Sequence, residues 1–267
     1  MQIEAASMDL SDSSVLITGG AGGFGGATAK RLAARGARVV IADVADERGA
    51  ELAKELGNGA VYVRTDIMDE ASIAHAVETA AGIGPLRAAV VVHGGPPSKT
   101  PGGRVLGRDG RRLDVEHFAH TLAVHLTSPF MVTSRAAEVM AKNAPLASGQ
   151  RGVIINTSSI AGFEGTPGQV PYSAAKGGII GMTLTLARDL APLGIRAMAI
   201  APGTFLTLAY SRSMTDEEAQ AKWGPQVLNP KRMGDPDEYA LLAEQIIEND
   251  FLNGTTIRLD GGQRFQA

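Results

Sequence analysis

A chain of 267 residues, 44% apolar and 20% charged, has the core-forming side chains for one large α/β domain or two small ones, which excludes a disordered chain. Its net charge of −3 offers no long-range attraction for nucleic acid, and the absence of cysteine excludes disulfides, thiolate metal ligands and a thiol nucleophile. No apolar run reaches the roughly 18 residues of a bilayer-crossing helix, so no membrane partner is expected.

Residues 1–13 carry Glu4, Asp9 and Asp12 but no base, unlike a secretion signal or a transit peptide. They read as a flexible lead-in, with Met8 as an alternative start, and the expected location is the cytoplasm. From there, short β-branched runs alternate with longer stretches of helical period. Strands are expected at Val15–Thr18, Arg38–Ala42, Ala60–Val63, Ala88–Val92, Val153–Asn156, Arg196–Ala201 and Thr255–Leu259. Helices are expected at Phe24–Arg35, Glu47–Leu56, Asp69–Ala81, Val115–Met140, Ser173–Leu190 and Pro236–Glu248. A run such as Ala89-Val-Val-Val92 is apolar on both faces, as a parallel strand covered by helices requires. The expected fold is therefore α/β, a Rossmann-type, doubly wound parallel seven-stranded sheet with helices on both faces, forming a single domain over 14–267. Two segments break the alternation, 94–114 and 204–235. Loops this long in a compact domain are usually functional, and 204–235 is expected to be a substrate lid.

Between the first strand and the first helix lies Thr18-Gly-Gly-Ala-Gly-Gly-Phe-Gly25. A glycine-rich turn there brings backbone N–H groups and a helix N-terminus against a pyrophosphate, making Thr18, Gly19, Gly23, Phe24 and Gly25 candidate cofactor contacts. Asp43 closes the second strand eighteen residues after Gly25. A carboxylate there accepts hydrogen bonds from both ribose hydroxyls and repels a 2′-phosphate, favouring NAD over NADP; the blander reading is a turn cap. Asp66 and Ile67, ending the third strand, can pair with the adenine amino group and a ring nitrogen.

Tyr172 and Lys176 stand four residues apart, with Ser159 thirteen residues before the tyrosine. Tyrosine ionises near ~10 and lysine near ~10.4, so neither is much of a base alone. On one helix face the ammonium stabilises the phenolate, and the phenol becomes a proton donor or acceptor near neutral pH. Ser159 would donate a hydrogen bond to the same substrate oxygen, and Gln169 is a further candidate substrate contact. The trio suits alcohol and carbonyl interconversion, whereas an ordinary amphipathic pair is the alternative. Five histidines without Cys-His or His-Glu-x-x-His spacing imply no metal site, and His93 reads as a packing or hydrogen-bonding residue.

Over nearly its whole length the chain resembles the short-chain dehydrogenase/reductase family. Thr18, Gly19, Gly23 and Gly25 match its Thr-Gly-x-x-x-Gly-x-Gly turn, and Ser159, Tyr172 and Lys176 match its catalytic Ser, Tyr and Lys. Ile200-Ala-Pro-Gly203 and Thr207 match the segment beside the nicotinamide, so Pro202, Gly203 and Thr207 are implied cofactor contacts, as are Gly94, Tyr172 and Lys176. From residue 151 onward the chain is more narrowly similar to the family's hydroxyacyl-CoA dehydrogenases. The resemblance implies reversible, NAD-dependent oxidation of a secondary alcohol, with a 3-hydroxyacyl-CoA as the expected substrate. Alternatives are a hydroxysteroid or other bulky-alcohol dehydrogenase, and a catalytically idle NAD-binding sensor or structural subunit. It also implies a homotetramer built on the helices 115–140 and 173–190 and the C-terminal segment.

Two positions depart from the family pattern. Val92-His-Gly-Gly95 replaces the usual Asn-Asn-Ala-Gly, and His125 stands where the family has a fourth catalytic residue, an asparagine. That asparagine's main-chain carbonyl helps hold a water that relays protons to the lysine, so a histidine can keep the backbone contact while changing the packing. The loop 98–114 carries Lys99, Arg104, Arg108, Arg111 and Arg112 against Asp109 and Asp114, a basic rim suited to the phosphates of coenzyme A.

Overall fold

Seven strands form one parallel sheet in the order β3-β2-β1-β4-β5-β6-β7, in a computed structural model that describes residues 8–94, 103–207 and 214–265. In chain order the strands are β1 (Ser14–Thr18), β2 (Arg38–Asp43), β3 (Val61–Arg64), β4 (Leu86–Val91), β5 (Gly152–Thr157), β6 (Ile195–Pro202) and β7 (Thr256–Leu259). The helices are α1 (Gly23–Ala34), α2 (Asp46–Leu56), α3 (Glu70–Ile83), α4 (Val115–Leu122), α5 (Ser128–Met140), α6 (Ala161–Glu164), α7 (Val170–Leu190), α8 (Asp216–Trp223) and α9 (Pro236–Glu248). Successive strand side chains point to opposite faces. Val15, Ile17, Val39, Ile41 and Ile155 join one core layer with Leu32 of α1 and Ile246 of α9. Leu16, Val40, Ala89 and Ile154 join the other with Ile73 of α3 and Val132 of α5. The unbroken apolar runs are thus two half-strands, each feeding its own core.

Three details differ from the sequence expectations. Met8 and Leu10 are buried in the first core layer, so the described part of the lead-in is docked rather than flexible. The expected continuous helix over 115–140 is interrupted by a π-helical turn at Ala123–Thr127 between α4 and α5. The lid segment has a helix of its own, α8, started by a capping box in which Thr215 and Glu218 each satisfy the other's backbone N–H.

Arg196 on β6 is a buried cation that ends α9. Its guanidinium donates to the carbonyls of Ile246 (2.8 Å), Ile247 (2.8 Å) and Leu252 (2.9 Å), with Asp250 at 3.6 Å as counter-charge. Helix C-terminal carbonyls have no intrahelical partner, and these are met from the sheet. Arg196→Leu keeps the bulk and strands three buried carbonyls, so stability in urea should fall by at least about 3 kcal/mol. A loss below about 1 kcal/mol would mean that water replaces the guanidinium.

Candidate active site

The strand order reverses between β1 and β4, and their carboxyl ends open a crevice, the place where a doubly wound sheet takes its ligand. The glycine turn leaves β1 there. Gly19 has φ +67° and donates to the Ala42 carbonyl (2.8 Å), reversing the chain in a conformation that side chains disfavour. A Cβ on Gly25 would run into the Gly19 carbonyl and come within 2.7 Å of Gly20 Cα, so α1 starts hard against the turn. Asp43 clamps this arrangement, accepting from the Ala21 N–H (3.0 Å, Oδ2) and the Ala45 N–H (3.0 Å, Oδ1). The turn-cap reading of Asp43 is therefore real, yet each oxygen keeps acceptor capacity for a ribose hydroxyl.

Two of the expected cofactor contacts turn inward. Thr18 is buried with its hydroxyl 2.6 Å from His93 Nδ1, and the Phe24 ring stacks on Tyr239 (4.5 Å) and meets Phe205 edge-on (5.1 Å). Thr18 thus braces the turn, and the partly buried Phe24 ring packs on one side against Tyr239 and Phe205. Asp66 is exposed, with Oδ1 taking the Met68 N–H (2.8 Å), and Ile67 beside it is half-buried. Thr207 lies against the turn: a Cβ on Gly23 would sit 3.4 Å from its Cβ. The Pro202 carbonyl accepts from the Ile160 N–H (3.1 Å), which ties Pro202-Gly203 to the Ser159 turn. Gly203 is pressed by the C-terminal segment, where a Cβ would come within 2.8 Å of Asp260 Cβ. A glycine-rich cradle, a helix N-terminus and a fixed carboxylate make a set that fits a nicotinamide dinucleotide.

Tyr172 lies in the first turn of α7, which begins at Val170, three residues before the expected start at Ser173, and Lys176 follows one turn on. Lys176 is 4% exposed; its Nζ donates to the Thr157 carbonyl (2.8 Å) and stands 5.8 Å from the centre of the Tyr172 ring. Burial brings its pKa down to about 8. The Ser158 hydroxyl, donating to the Lys176 carbonyl (2.8 Å), pins the helix to the end of β5, and Ser159 follows directly, its Oγ accepting from the Ala161 N–H (3.1 Å). Gln169 caps α7, and its side-chain oxygen folds back to accept the Thr166 N–H (3.1 Å).

His125 sits in the π-helical turn, 3% exposed, with its ring perpendicular (88°) to Tyr172 at a centroid distance of 5.1 Å. Burial first, then the charges of Lys176, His93 and His120, push its pKa down to about 3, so the ring is neutral. His93 is likewise buried and pushed down to about 3 by burial and by Lys176. Its hydrogen bonds have a fixed direction. Ser128 Oγ donates to the Val124 carbonyl (2.8 Å), so it accepts from His93 Nε2–H (2.9 Å), leaving Nδ1 to accept from Thr18. One directed chain thus joins the glycine turn to the helical turn that carries His125.

The basic loop touches the head of the tyrosine helix through a parallel bridge between Gly103 and Gln169. Ser98 and Lys99 lie outside the described residues. Arg104, Arg108, Arg111 and Arg112 are all exposed, and Arg111 is paired with Asp109 (2.6 Å). Sequence reasoning missed Gln263, fully buried, whose Oε1 accepts both the N–H (3.0 Å) and the hydroxyl (2.9 Å) of Thr204 and so locks the segment after β6. Nothing in the local pattern around Gln263 signals this. Among the described residues no group of three or more His, Asp or Glu is placed to hold a metal, and no helix is long and apolar enough to cross a membrane.

The family profile described as short chain dehydrogenase matches residues 13–218. The chain is 46% identical over 253 residues to the human 3-hydroxyacyl-CoA dehydrogenase type-2, covering 94% of this chain and 95% of that one. The bovine protein of the same name is 44% identical over the same spans. A crystal structure of 3-hydroxyacyl-CoA dehydrogenase type-2 from Mycobacterium avium superposes with a TM-score of 0.89 at 44% identity, covering 96% of this chain and 97% of that one.

The two neutral imidazoles make stability pH-dependent in a fixed direction. Their pKa values lie near 3 in the folded protein and near 6.5 as ordinary histidines, so the unfolded chain binds protons first on acidification. Their contribution is full above about pH 6.5 and is lost as pH falls toward 3, by about 1.4 kcal/mol per pH unit for each histidine. The thermal midpoint should therefore drop across that window, and less steeply in His93→Asn or His125→Asn. A midpoint independent of pH there would falsify the assignment of both rings as buried and neutral.

Proposed function

Because the chain belongs to the short-chain dehydrogenase family, it is an oxidoreductase of CH–OH groups using a nicotinamide cofactor, and we propose that it reversibly oxidises a 3-hydroxyacyl-CoA to the 3-ketoacyl-CoA with NAD. The observation that carries this reading is the buried Lys176 ammonium held beside Tyr172 at the end of β5, next to Ser159. Tyr172 takes the alcohol proton on its phenolate oxygen. Lys176 stabilises that phenolate and binds the nicotinamide ribose, while the Ser159 hydroxyl donates to the oxygen that becomes the carbonyl. The bound dinucleotide supplies the acceptor for the hydride leaving the carbinol carbon. Backbone N–H groups of the turn 19–25 hold the pyrophosphate, Asp43 the adenosine ribose, and Asp66 with Ile67 the adenine. Gly94, Pro202, Gly203 and Thr207 flank the nicotinamide. Tyr172→Phe should abolish turnover while NAD affinity is nearly kept; a near-normal rate would remove the phenol from the chemistry.

The choice of NAD rests on Asp43, a fixed negative charge where a 2′-phosphate would lie. NAD should bind at least about tenfold more tightly than NADP, a difference of about 1.4 kcal/mol, and Asp43→Ala should narrow the gap. Equal titration affinities in the wild type would end this argument.

The acyl-CoA reading draws on the named relatives and on Arg104, Arg108 and Arg112, exposed on a loop that meets Gln169 three residues before Tyr172. In a panel of acetoacetyl-CoA, longer 3-ketoacyl-CoA esters and steroid ketones followed by NADH absorbance, the CoA esters should be preferred. Neutralising the three arginines together should raise KM for acetoacetyl-CoA and flatten its salt dependence, leaving a CoA-free ketone unaffected. A uniform response would move the choice toward a bulky alcohol. Half-exposed Phe130 on α5 and Leu184 on α7 support a homotetramer assembled on these helices. Light scattering showing a monomer at micromolar concentration would refute it.

A further inference from the structure

We propose that Gly94 and His125 act as one positioning unit for Tyr172: the glycine leaves the slot that the imidazole fills, and the imidazole sets the phenol ring. The inference rests on Tyr172 being the proton carrier. A Cβ on Gly94 would lie 3.0 Å from His125 Cε1 and 3.1 Å from Nδ1, inside the ordinary carbon contact distance of about 3.5–4.0 Å. Gly94 does not have a left-handed φ, so an alanine there meets no backbone penalty, only the ring. The imidazole has little room to retreat. It also faces the Tyr172 ring, perpendicular at 5.1 Å, in the edge-to-face range that favours contact. Its backbone is fixed from below, where the Val124 carbonyl takes the Ser128 hydroxyl in the chain from His93 and Thr18.

Among the described residues neither ring nitrogen of His125 has a hydrogen-bond partner. Packing between Gly94 and Tyr172 sets the angle of the ring. The two departures from the family pattern become one coupled change: where the family carries alanine and asparagine, this chain carries glycine and the larger imidazole. A methyl group added at position 94 would press the imidazole against the phenol and turn the hydroxyl away from its working direction. The π-helical turn contributes by giving this residue a placement that a regular helix would not.

The test is a double-mutant cycle of Gly94→Ala, His125→Asn and the pair together, read in two ways. With acetoacetyl-CoA and NADH, Gly94→Ala alone should lower kcat about tenfold or more, equivalent to about 1.4 kcal/mol of barrier, with little change in KM. His125→Asn should lose less, and the double variant should recover to near the His125→Asn value, because the smaller amide accommodates the methyl. The second reading needs no substrate: ultraviolet titration of the Tyr172 phenolate, isolated by subtracting the Tyr172→Phe curve. The other titratable groups facing the two rings are Lys176 on α7, His93 after β4 and His120 on α4, and all are retained in every variant. Gly94→Ala should displace the phenolate transition and the double variant should restore it. Effects that simply add in both readings would overturn the unit. If Gly94→Ala fails to fold, Gly94→Ala/His125→Ala, with the slot emptied, must fold; insolubility of both would also overturn it. A wild type inactive on every substrate of the panel, with a coupled phenolate titration, would sink the acyl-CoA reading and leave the unit standing.

Discussion

Burying an ammonium costs several kcal/mol unless its protons are met, and at Lys176 the Thr157 carbonyl meets one of three. That demand orders much of the site. The lysine must lie on the face of α7 that meets the end of β5, which fixes the rotation of the helix about its axis. Tyr172, one turn earlier, is thereby brought to the crevice, and Ser158 holds the same helix through the Lys176 carbonyl. Desolvation lowers the lysine's pKa to about 8, so the group still carries charge at neutral pH. A buried, charged group beside a phenol suits the proton transfer proposed for this site.

Burial first, and the Lys176 charge second, keep both buried histidines neutral. Their rings are desolvated and feel Lys176, so a proton on either would add a second buried cation. A neutral imidazole has one donor and one acceptor, and His93 uses both, relaying direction from Thr18 to Ser128. A charged ring would have two donors, and the bond to Thr18 would have to reverse, with the hydroxyl accepting.

The sheet was legible because a strand buried on both faces leaves an unbroken apolar run, as in β4, and because helices of regular period separate such runs. The cradle was legible because close backbone approach admits only glycine, as Gly19 and Gly25 show. What escaped was decided by tertiary contact. The π-helical turn at Ala123–Thr127 leaves no mark in a sequence whose apolar spacing also suits a straight helix. Met8 and Leu10 looked like part of a polar lead-in because two apolar side chains make no period, yet each has a place in the core. Gln263 reaches Thr204 across 59 residues, and the inward turns of Thr18 and Phe24 depend on His93 and Tyr239. Spacing reads the backbone's demands; it does not read which neighbour will claim a side chain.

Asp43 shows why a residue's structural and functional readings need not compete. Its two backbone acceptances hold the carboxylate at the edge of the glycine turn. A free carboxylate on a flexible loop could swing away from an approaching phosphate, whereas this one is held by the turn it supports. Preorganised charge discriminates better than mobile charge, because no reorganisation relieves the repulsion before the ligand binds. The same carboxylate thus gives the turn its shape and, on the proposed use of NAD, a reason to reject a second phosphate, so that loss of the side chain would loosen both at once.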